Sequence, residues 1–265
     1  MPVAASAPLT AHQMLNKVPE VTLAFWVIKI MATTVGETGA DYLAVRVGLG
    51  TAVTGGLMGA LLLAVLVMQL RARAYVPWVY WLTVVLVSVV GTQITDALTD
   101  RLDVSLYTST AAFALALAAT FAAWHASERT LSIHTITTRR RELFYWAAIL
   151  FTFALGTAAG DLATEALGLG FTVGVVAFSA MIAAVFMAYR LGGNAVLTFW
   201  IAYILTRPLG ASLGDLLSQS QPNGGLGLGT VGTSLVFLAV IVALVTVLSV
   251  GRNSRNSRTE VIWDV

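Results

Sequence analysis

The sequence contains no cysteine and few charged residues. Its 265 residues include 15 Lys and Arg, 13 Asp and Glu and 3 His, so that charged residues make up only 11%. The absence of cysteine excludes disulfides, thiolate metal ligands and cysteine nucleophiles. Hydrophobic residues make up 58% and the mean hydropathy is +0.84, which excludes an ordinary soluble domain and is typical of an integral membrane protein.

Common enzyme motifs are also missing. The sequence has no HExxH zinc motif and no GxSxG nucleophile elbow. The three histidines lie outside the apolar segments (His12 and His134) or at the very end of one (His125). We therefore expect neither an enzyme nor a covalently bound cofactor. The net charge of +2 does not predict a nucleic-acid partner. The basic run RRRE at 139–142 is explained by membrane topology, because arginine and lysine are enriched in cytoplasmic loops.

Long apolar runs account for most of the chain. A transmembrane helix needs about 20 mostly apolar residues. The runs are 21–43, 47–70, 77–98, 105–125, 144–166, 169–190, 194–217 and 229–250. The sequence therefore predicts an all-α, polytopic membrane protein with eight transmembrane helices in a single membrane domain, 1–265. The start MPVAASAPLTAHQMLN lacks the positive charge of a cleavable signal peptide, so we expect the first helix to be retained.

Arginine and lysine indicate the orientation. If both termini are cytoplasmic, only Arg46 and Arg101 fall in outer loops. The inner segments then hold Lys17, Arg71, Arg73, Arg129, Arg139, Arg140, Arg141, Arg190, Arg252, Arg255 and Arg258. The positive-inside rule therefore predicts that both termini are cytoplasmic.

One spacing recurs four times. It is W-x9-G-x4-D, with an aromatic residue before each tryptophan. The copies are Trp26–Gly36–Asp41, Trp81–Gly91–Asp96, Trp146–Gly156–Asp161 and Trp200–Gly210–Asp215. Each copy lies on an odd-numbered helix and is followed by a second apolar helix, which predicts four two-helix repeats at about 21–70, 77–125, 144–190 and 194–250. Because each unit crosses the membrane twice, the repeats share one orientation and should be related by an axis along the membrane normal.

This pattern resembles a family of bacterial membrane proteins with four tandem copies of a two-helix repeat of unknown function and a characteristic tryptophan. The resemblance covers about 20–250, and KVPEVTLAFWVIKIMATTVGETGAD at 17–41 is its most specific part. It implies the fold and the topology. It implies no substrate and no site residues. We expect the membrane to be the bacterial inner (cytoplasmic) membrane.

The tryptophans and glycines of the repeat each allow two interpretations. The tryptophans fall near helix starts, where an interfacial anchor is favoured over a ligand cage. The glycines lie about 15 Å further along, near the middle of the membrane. There they could either permit close helix packing or mark a break that exposes backbone groups to a cavity.

The aspartates of the repeat indicate a site. Residues one and five after each glycine share a helix face. The pairs are Glu37 with Asp41, Thr92 with Asp96, Thr157 with Asp161 and Ala211 with Asp215. If the odd helices surround one cavity, Glu37, Asp41, Asp96, Asp161 and Asp215 are candidate ligands of a hard divalent cation. The alternative is that the aspartates are carboxylates at the outer membrane interface.

Two charges near mid-membrane need partners. Arg207 and Glu37 lie within about 5 Å of one depth, and a charge there costs about 2.5–3.5 kcal/mol. We therefore expect an ion pair between them, with Pro208 perturbing the helix beside it. Lys29 either joins this network with Thr92 and Thr157 or extends to the cytoplasmic surface.

Together these residues predict a function. The five carboxylates would face only Lys29 and Arg207, and such a cluster must hold protons, water or a cation. The sequence therefore predicts a transporter of a hard cation, most readily a divalent metal, coupled to protons, with the lipid bilayer as its other partner. The alternatives are a carrier of a small organic or amphipathic solute, with Arg207 binding an anionic group, and a membrane scaffold or sensor.

Overall fold

The computed structural model describes residues 16–43, 47–48 and 50–261. Within these ranges the chain forms eight helices of 19 residues or more and no strand, which confirms the all-α fold class. The helices are α1 (Leu23–Asp41), α2 (Gly50–Arg71), α3 (Pro77–Asp96), α4 (Leu106–Glu128), α5 (Arg139–Asp161), α6 (Gly170–Arg190), α7 (Ala195–Ser218) and α8 (Gly229–Val261). The expected absence of a cleaved leader concerns residues outside these ranges.

Local sequence signals set the helix starts. The side chain of Thr22 accepts a hydrogen bond from the backbone of Phe25 and begins α1, and Asn194 caps α7 in the same way. Before α6 the chain turns through Gly168 and Gly170, whose φ angles are +68° and +72°. The matching turn before α4 has Asp103 at φ +51°, because aspartate also tolerates the left-handed conformation.

The odd-numbered helices form the inner part of the bundle. Helices α1, α3, α5 and α7 contact one another in a closed ring, in chain order. More than half of the apolar stretch of α3, α5 and α7 is buried (56–61%), against 11–22% for the even helices. The even helices therefore form an outer layer whose apolar side chains face outward, as lipid contact requires.

Each even helix packs chiefly on the odd helix that follows it. Helix α2 packs mainly on α3, α4 on α5, α6 on α7, and α8 on α1. The last of these contacts closes the outer layer, so the four repeats interlock around one pseudo-four-fold axis. The parallel arrangement predicted from the repeat follows from this packing.

In the described part of the chain, seven of the eight helices are long and apolar enough to cross a membrane. The other one, α1, is 19 residues long and carries Lys29, Glu37 and Asp41. It lies in the same ring as α3 and α7, and its Lys29 and Glu37 side chains are buried against other helices. The protein is therefore a multi-pass membrane protein.

A buried ion pair joins the segment before α1 to the start of α5. Lys17 Nζ lies 2.5 Å from Glu142 Oε2, and both residues are 1% exposed. Gln69 Nε2 donates to the other oxygen of Glu142 at 3.2 Å. Burial lowers the pKa of Lys17, and its hydrogen bond with Glu142 opposes that lowering. The sequence indicated Lys17 only as a topology signal, because sequence position does not report burial.

Candidate functional site

The four repeat glycines are points of close contact between neighbouring odd helices. A Cβ atom at Gly91 would lie 2.7 Å from Phe153 Cβ, and one at Gly156 would lie 2.5 Å from Arg207 Cβ. In every case the contacted residue stands three positions before the glycine of the next repeat. The contacts are Gly36 with Ser88, Gly91 with Phe153, Gly156 with Arg207 and Gly210 with Thr33. The glycines therefore serve close packing, and the helices continue through them.

Eight aromatic side chains, two from each odd helix, form a closed ring of residues at the N-terminal ends of these helices. We call this set of residues the aromatic ring. The aromatic residue before each tryptophan packs on the tryptophan of the next repeat, with ring centres 5.6–6.2 Å apart. The pairs are Phe25 with Trp81, Tyr80 with Trp146, Tyr145 with Trp200 and Phe199 with Trp26. The hydroxyl groups of Tyr80 and Tyr145 are 2.5 Å apart inside this ring.

The prediction of interfacial anchors is wrong for three of the four tryptophans. Trp81, Trp146 and Trp200 are only 2–5% exposed, whereas Trp26 is partly exposed. Each indole packs on the aromatic residue of the preceding repeat, so these side chains seal the bundle interior. They are not available to headgroups.

Arg207 lies at the centre of the four repeats. Its Nη2 donates to Glu37 Oε2 at 2.7 Å, which confirms the predicted ion pair. The same nitrogen donates to Thr157 Oγ1 at 2.7 Å and to Thr92 Oγ1. Glu37, Thr92 and Thr157 each follow the glycine of a different repeat. Helix α7 continues through Pro208, which packs against Gly160.

Lys29 is buried behind Arg207 and does not extend to the surface. Its Nζ donates to Thr206 Oγ1 at 3.2 Å and lies 4.3 Å from the ring centres of both Phe153 and Tyr203. The residue is 0% exposed. Cation–π contacts thus replace part of its hydration. Lys29 belongs to the inner charge network through Thr206, the residue before Arg207.

An acidic cavity of about 250 Å³ opens at the C-terminal ends of the odd helices. Its lining includes one carboxyl group from each repeat, together with a second one from the third repeat. The lining residues are Glu37, Asp96, Thr99, Leu106, Asp161, Glu165, Asp215 and Gln219. Glu37 connects the cavity with the hydrogen-bond network of Arg207, because it lines the cavity and also binds Arg207. Asp41 ends α1, and its side chain lies outside the described residues.

The cavity carboxylates do not form a preassembled metal centre. Among the residues that the structure describes, no three Asp, Glu or His side chains are grouped closely enough to hold a metal ion. Glu37, Asp96, Asp161 and Asp215 therefore share a cavity without converging on one point. Their assignment as metal ligands stays a prediction.

Some cavity residues were not predicted from the sequence, although their helical spacing from the repeat aspartates could have indicated them. Thr99 stands three residues after Asp96 and Gln219 four residues after Asp215, so each lies close to the helix face of its aspartate. The chain is π-helical over Ala97–Arg101 and over Leu162–Ala166. These wider turns directly follow Asp96 and Asp161 and extend the cavity wall, a common feature of functional sites.

Comparisons with known proteins identify the repeat but no activity. The model of a family described as Repeat of Unknown Function (DUF347) matches residues 24–75, 79–130, 144–192 and 198–253. These matches coincide with the four predicted two-helix repeats. No curated protein and no solved structure matches the chain.

Proposed function

Because the chain belongs to the family of the Repeat of Unknown Function (DUF347), its activity has to be inferred from its own geometry, and we propose that it transports a cation across a membrane. The substrate is a hard cation, with a divalent metal as the first candidate, and its movement is coupled to protons. The membrane is the bacterial inner membrane, with both termini on the cytoplasmic side.

One observation carries this proposal. A carboxyl group from each of the four repeats, namely Glu37, Asp96, Asp161 and Asp215, lines a single cavity. Carboxylate oxygens are ligands that hard cations prefer. Charges of one sign in a cleft also raise the local concentration of the counter-ion. An acidic cavity between membrane-spanning helices therefore suits the capture of a cation.

The inner end of the cavity supports transport more than storage. Beyond Glu37 lie the basic side chains of Arg207 and Lys29 and then the aromatic ring. The guanidinium of Arg207, held by Glu37, would block a cation there, so passage would require a second conformation. Alternating access would require the Glu37–Arg207 pair to open. Protonation or metal binding at Glu37 would weaken that pair, which couples the two ions.

The metal would bind by drawing carboxylates together. The described side chains hold no group of three ligands in place, so the cavity has to contract around a dehydrated metal or bind a hydrated one. Either event displaces protons from the carboxyl groups. Apparent affinity should therefore rise with pH.

A carrier of an organic anion or amphipathic solute is the second candidate. Arg207 Nε and Nη1 have no hydrogen-bond partner among the described residues, and an anionic group could accept a hydrogen bond from either donor. The surrounding carboxylates oppose an anion entering from the cavity, which is why the cation is favoured.

The test is metal flux in proteoliposomes with a pH-sensitive dye inside. We expect the native protein to move a divalent metal against protons. The variant Asp96→Asn/Asp161→Asn should lose most of this flux, because two cavity carboxyl groups that could bind the metal are replaced by amides. The control is Asp103→Asn, which changes an exposed aspartate outside the cavity lining. Flux that is equal in the double variant, or absent from the native protein for every ion tried, would reject cation transport.

A further inference from the structure

Three oxygen atoms from three different repeats surround Arg207 Nη2. They are Glu37 Oε2, Thr92 Oγ1 and Thr157 Oγ1. We call these three residues the axial cradle. The fourth repeat has Ala211 at the same position, which leaves space for the arginine of its own helix. The axial cradle is thus a product of the repeat, and its centre lies on the pseudo-four-fold axis.

The hydroxyl groups of the axial cradle can present lone pairs to its centre. Thr92 Oγ1 can donate to Ser88 O at 3.2 Å, and Thr157 Oγ1 can donate to Phe153 O at 3.1 Å. When the hydroxyl hydrogens point to these carbonyls, the oxygens that face the axis are acceptors. One carboxylate and two hydroxyl acceptors form a site for a cation.

The arginine that occupies the axial cradle is poorly satisfied. Arg207 is 0% exposed, yet its Nε and Nη1 have no hydrogen-bond partner among the described residues. A guanidinium has five N–H donors, and buried donors without partners are costly. Only Nη2 is well placed. The site therefore fits the cationic end of the side chain and not the arginine as a whole.

Arg207 also departs from the pattern of the repeats. Its equivalents, three residues before the repeat glycine, are Thr33, Ser88 and Phe153. None of these carries a charge, so the positive charge at this level comes from one repeat only. The long side chain reaches the axis from a packing position against Gly156.

We propose that the axial cradle is a cation-binding site that Arg207 occupies as a tethered cation, and that a cation arriving from the acidic cavity displaces Nη2 from Glu37. The inference rests on the proposed function and identifies Arg207 as the residue that couples cation binding to the opening of the Glu37–Arg207 pair. The ligand class is a small hard cation, and the guanidinium end of Arg207 stands in for it in the closed conformation.

Chemical rescue tests the axial cradle without requiring transport. Arg207→Ala removes the tethered cation and leaves Glu37 without its partner. We expect a lower melting temperature, and we expect guanidinium chloride at millimolar concentration to raise it saturably while sodium chloride at equal ionic strength does not. The rescue should disappear in Arg207→Ala/Glu37→Gln. The control Arg190→Ala changes an exposed arginine and should show neither effect. No rescue, or equal rescue without Glu37, would overturn the proposal.

A second variant serves if Arg207→Ala fails to fold. Arg207→Lys keeps the positive charge but loses the planar fork, so the tethered cation should compete less well for Glu37. We expect the divalent metal to bind about tenfold more tightly than to the native protein, as one charged hydrogen bond is weakened. Equal or weaker binding, measured by isothermal titration calorimetry, contradicts the proposal.

The two proposals can fail separately. Guanidinium rescue without metal flux in the native protein would retain the axial cradle and reject transport. Flux through the native protein without rescue, and without tighter binding in Arg207→Lys, would retain transport and reject the tethered cation.

Discussion

At the scale of single residues, the ion pair of Glu37 and Arg207 dominates the interior. Its 2.7 Å contact lies where Arg207 is fully buried and Glu37 is almost so. A buried pair contributes little net stability by itself, but each charge makes the other tolerable. The pair therefore gives specificity to the arrangement of the four odd helices rather than strength.

This view predicts the outcome of a double-mutant cycle. Glu37→Gln and Arg207→Met should each destabilise the protein by about 3–5 kcal/mol, because each leaves one buried charge without its partner. The double variant should be less destabilised than either single one. Thermal melting and denaturant unfolding in detergent measure this. Losses that simply add would show that the two residues do not interact energetically.

At the scale of helices, the repeat glycines decide how closely the odd helices approach. Four equivalent contacts link α1, α3, α5 and α7, each from a glycine to a residue of the next helix. A side chain at any of these glycines would push two helices apart and shift the aromatic ring relative to the acidic cavity. The spacing between the aromatic ring and the cavity depends on these contacts.

Alanine at a repeat glycine should therefore be harmful. In Gly91→Ala the new Cβ would lie 2.7 Å from Phe153 Cβ and 3.3 Å from Ala154 N, which predicts a loss of about 1–3 kcal/mol from overpacking. The matched control is Gly39→Ala in α1, where no atom lies within 4 Å. There we expect no loss or a small gain, since alanine favours a helix. Similar melting temperatures for both variants would argue against close packing.

Gly168, in the turn before α6, is required for its backbone conformation and not for close packing. Gly168 has φ +68° and open space around it, so Gly168→Ala should cost about 1–2 kcal/mol through backbone strain alone. Gly168→Asn should cost less, because asparagine tolerates this conformation much as Asp103 does at φ +51°. Denaturant unfolding of the two variants ranks them. A more severe loss for asparagine would contradict the conformational explanation.

At the scale of the whole molecule, three layers are stacked on one axis. They are the aromatic ring at the N-terminal ends of the odd helices, the level of the repeat glycines with Arg207, and the acidic cavity at the C-terminal ends. The acidic cavity lies at one end of the bundle, and buried aromatic side chains fill the other. If the proposed transport is correct, this asymmetry corresponds to one state of an alternating-access cycle.

The lack of cysteine makes this asymmetry measurable. Single-cysteine variants of the native chain need no background substitutions. In intact cells, Asp161→Cys in the cavity lining should react with a membrane-impermeant maleimide, whereas Ser88→Cys, which is 0% exposed, should not. Arg73→Cys, exposed between α2 and α3, should react only after the cells are opened. Labelling of Asp161→Cys and Arg73→Cys from the same side would contradict the orientation.

The sequence by itself determined the class and the repeat. Apolar runs of membrane-spanning length leave an all-α bundle as the structure that satisfies every backbone group in lipid. The register of Trp26, Gly36 and Asp41 recurs without a gap in the other repeats, and residues at one register must take equivalent places on a pseudo-symmetry axis. The Glu37–Arg207 pair was also predictable, because opposite charges at one depth in a membrane need each other.

Only the tertiary structure decided which way the repeated residues face. Both a lipid interface and a sealed interior favour aromatic side chains, so the sequence could not show that Trp81, Trp146 and Trp200 turn inward. Helical rise gives the depth of Lys29 but not its direction, and the structure places it between two rings. Helical rise likewise gives the depth of Thr92 and Thr157, but only the arrangement of the four helices makes them partners of Arg207. Spacing along a helix sets depth and face, whereas the ring of four helices sets what that face meets.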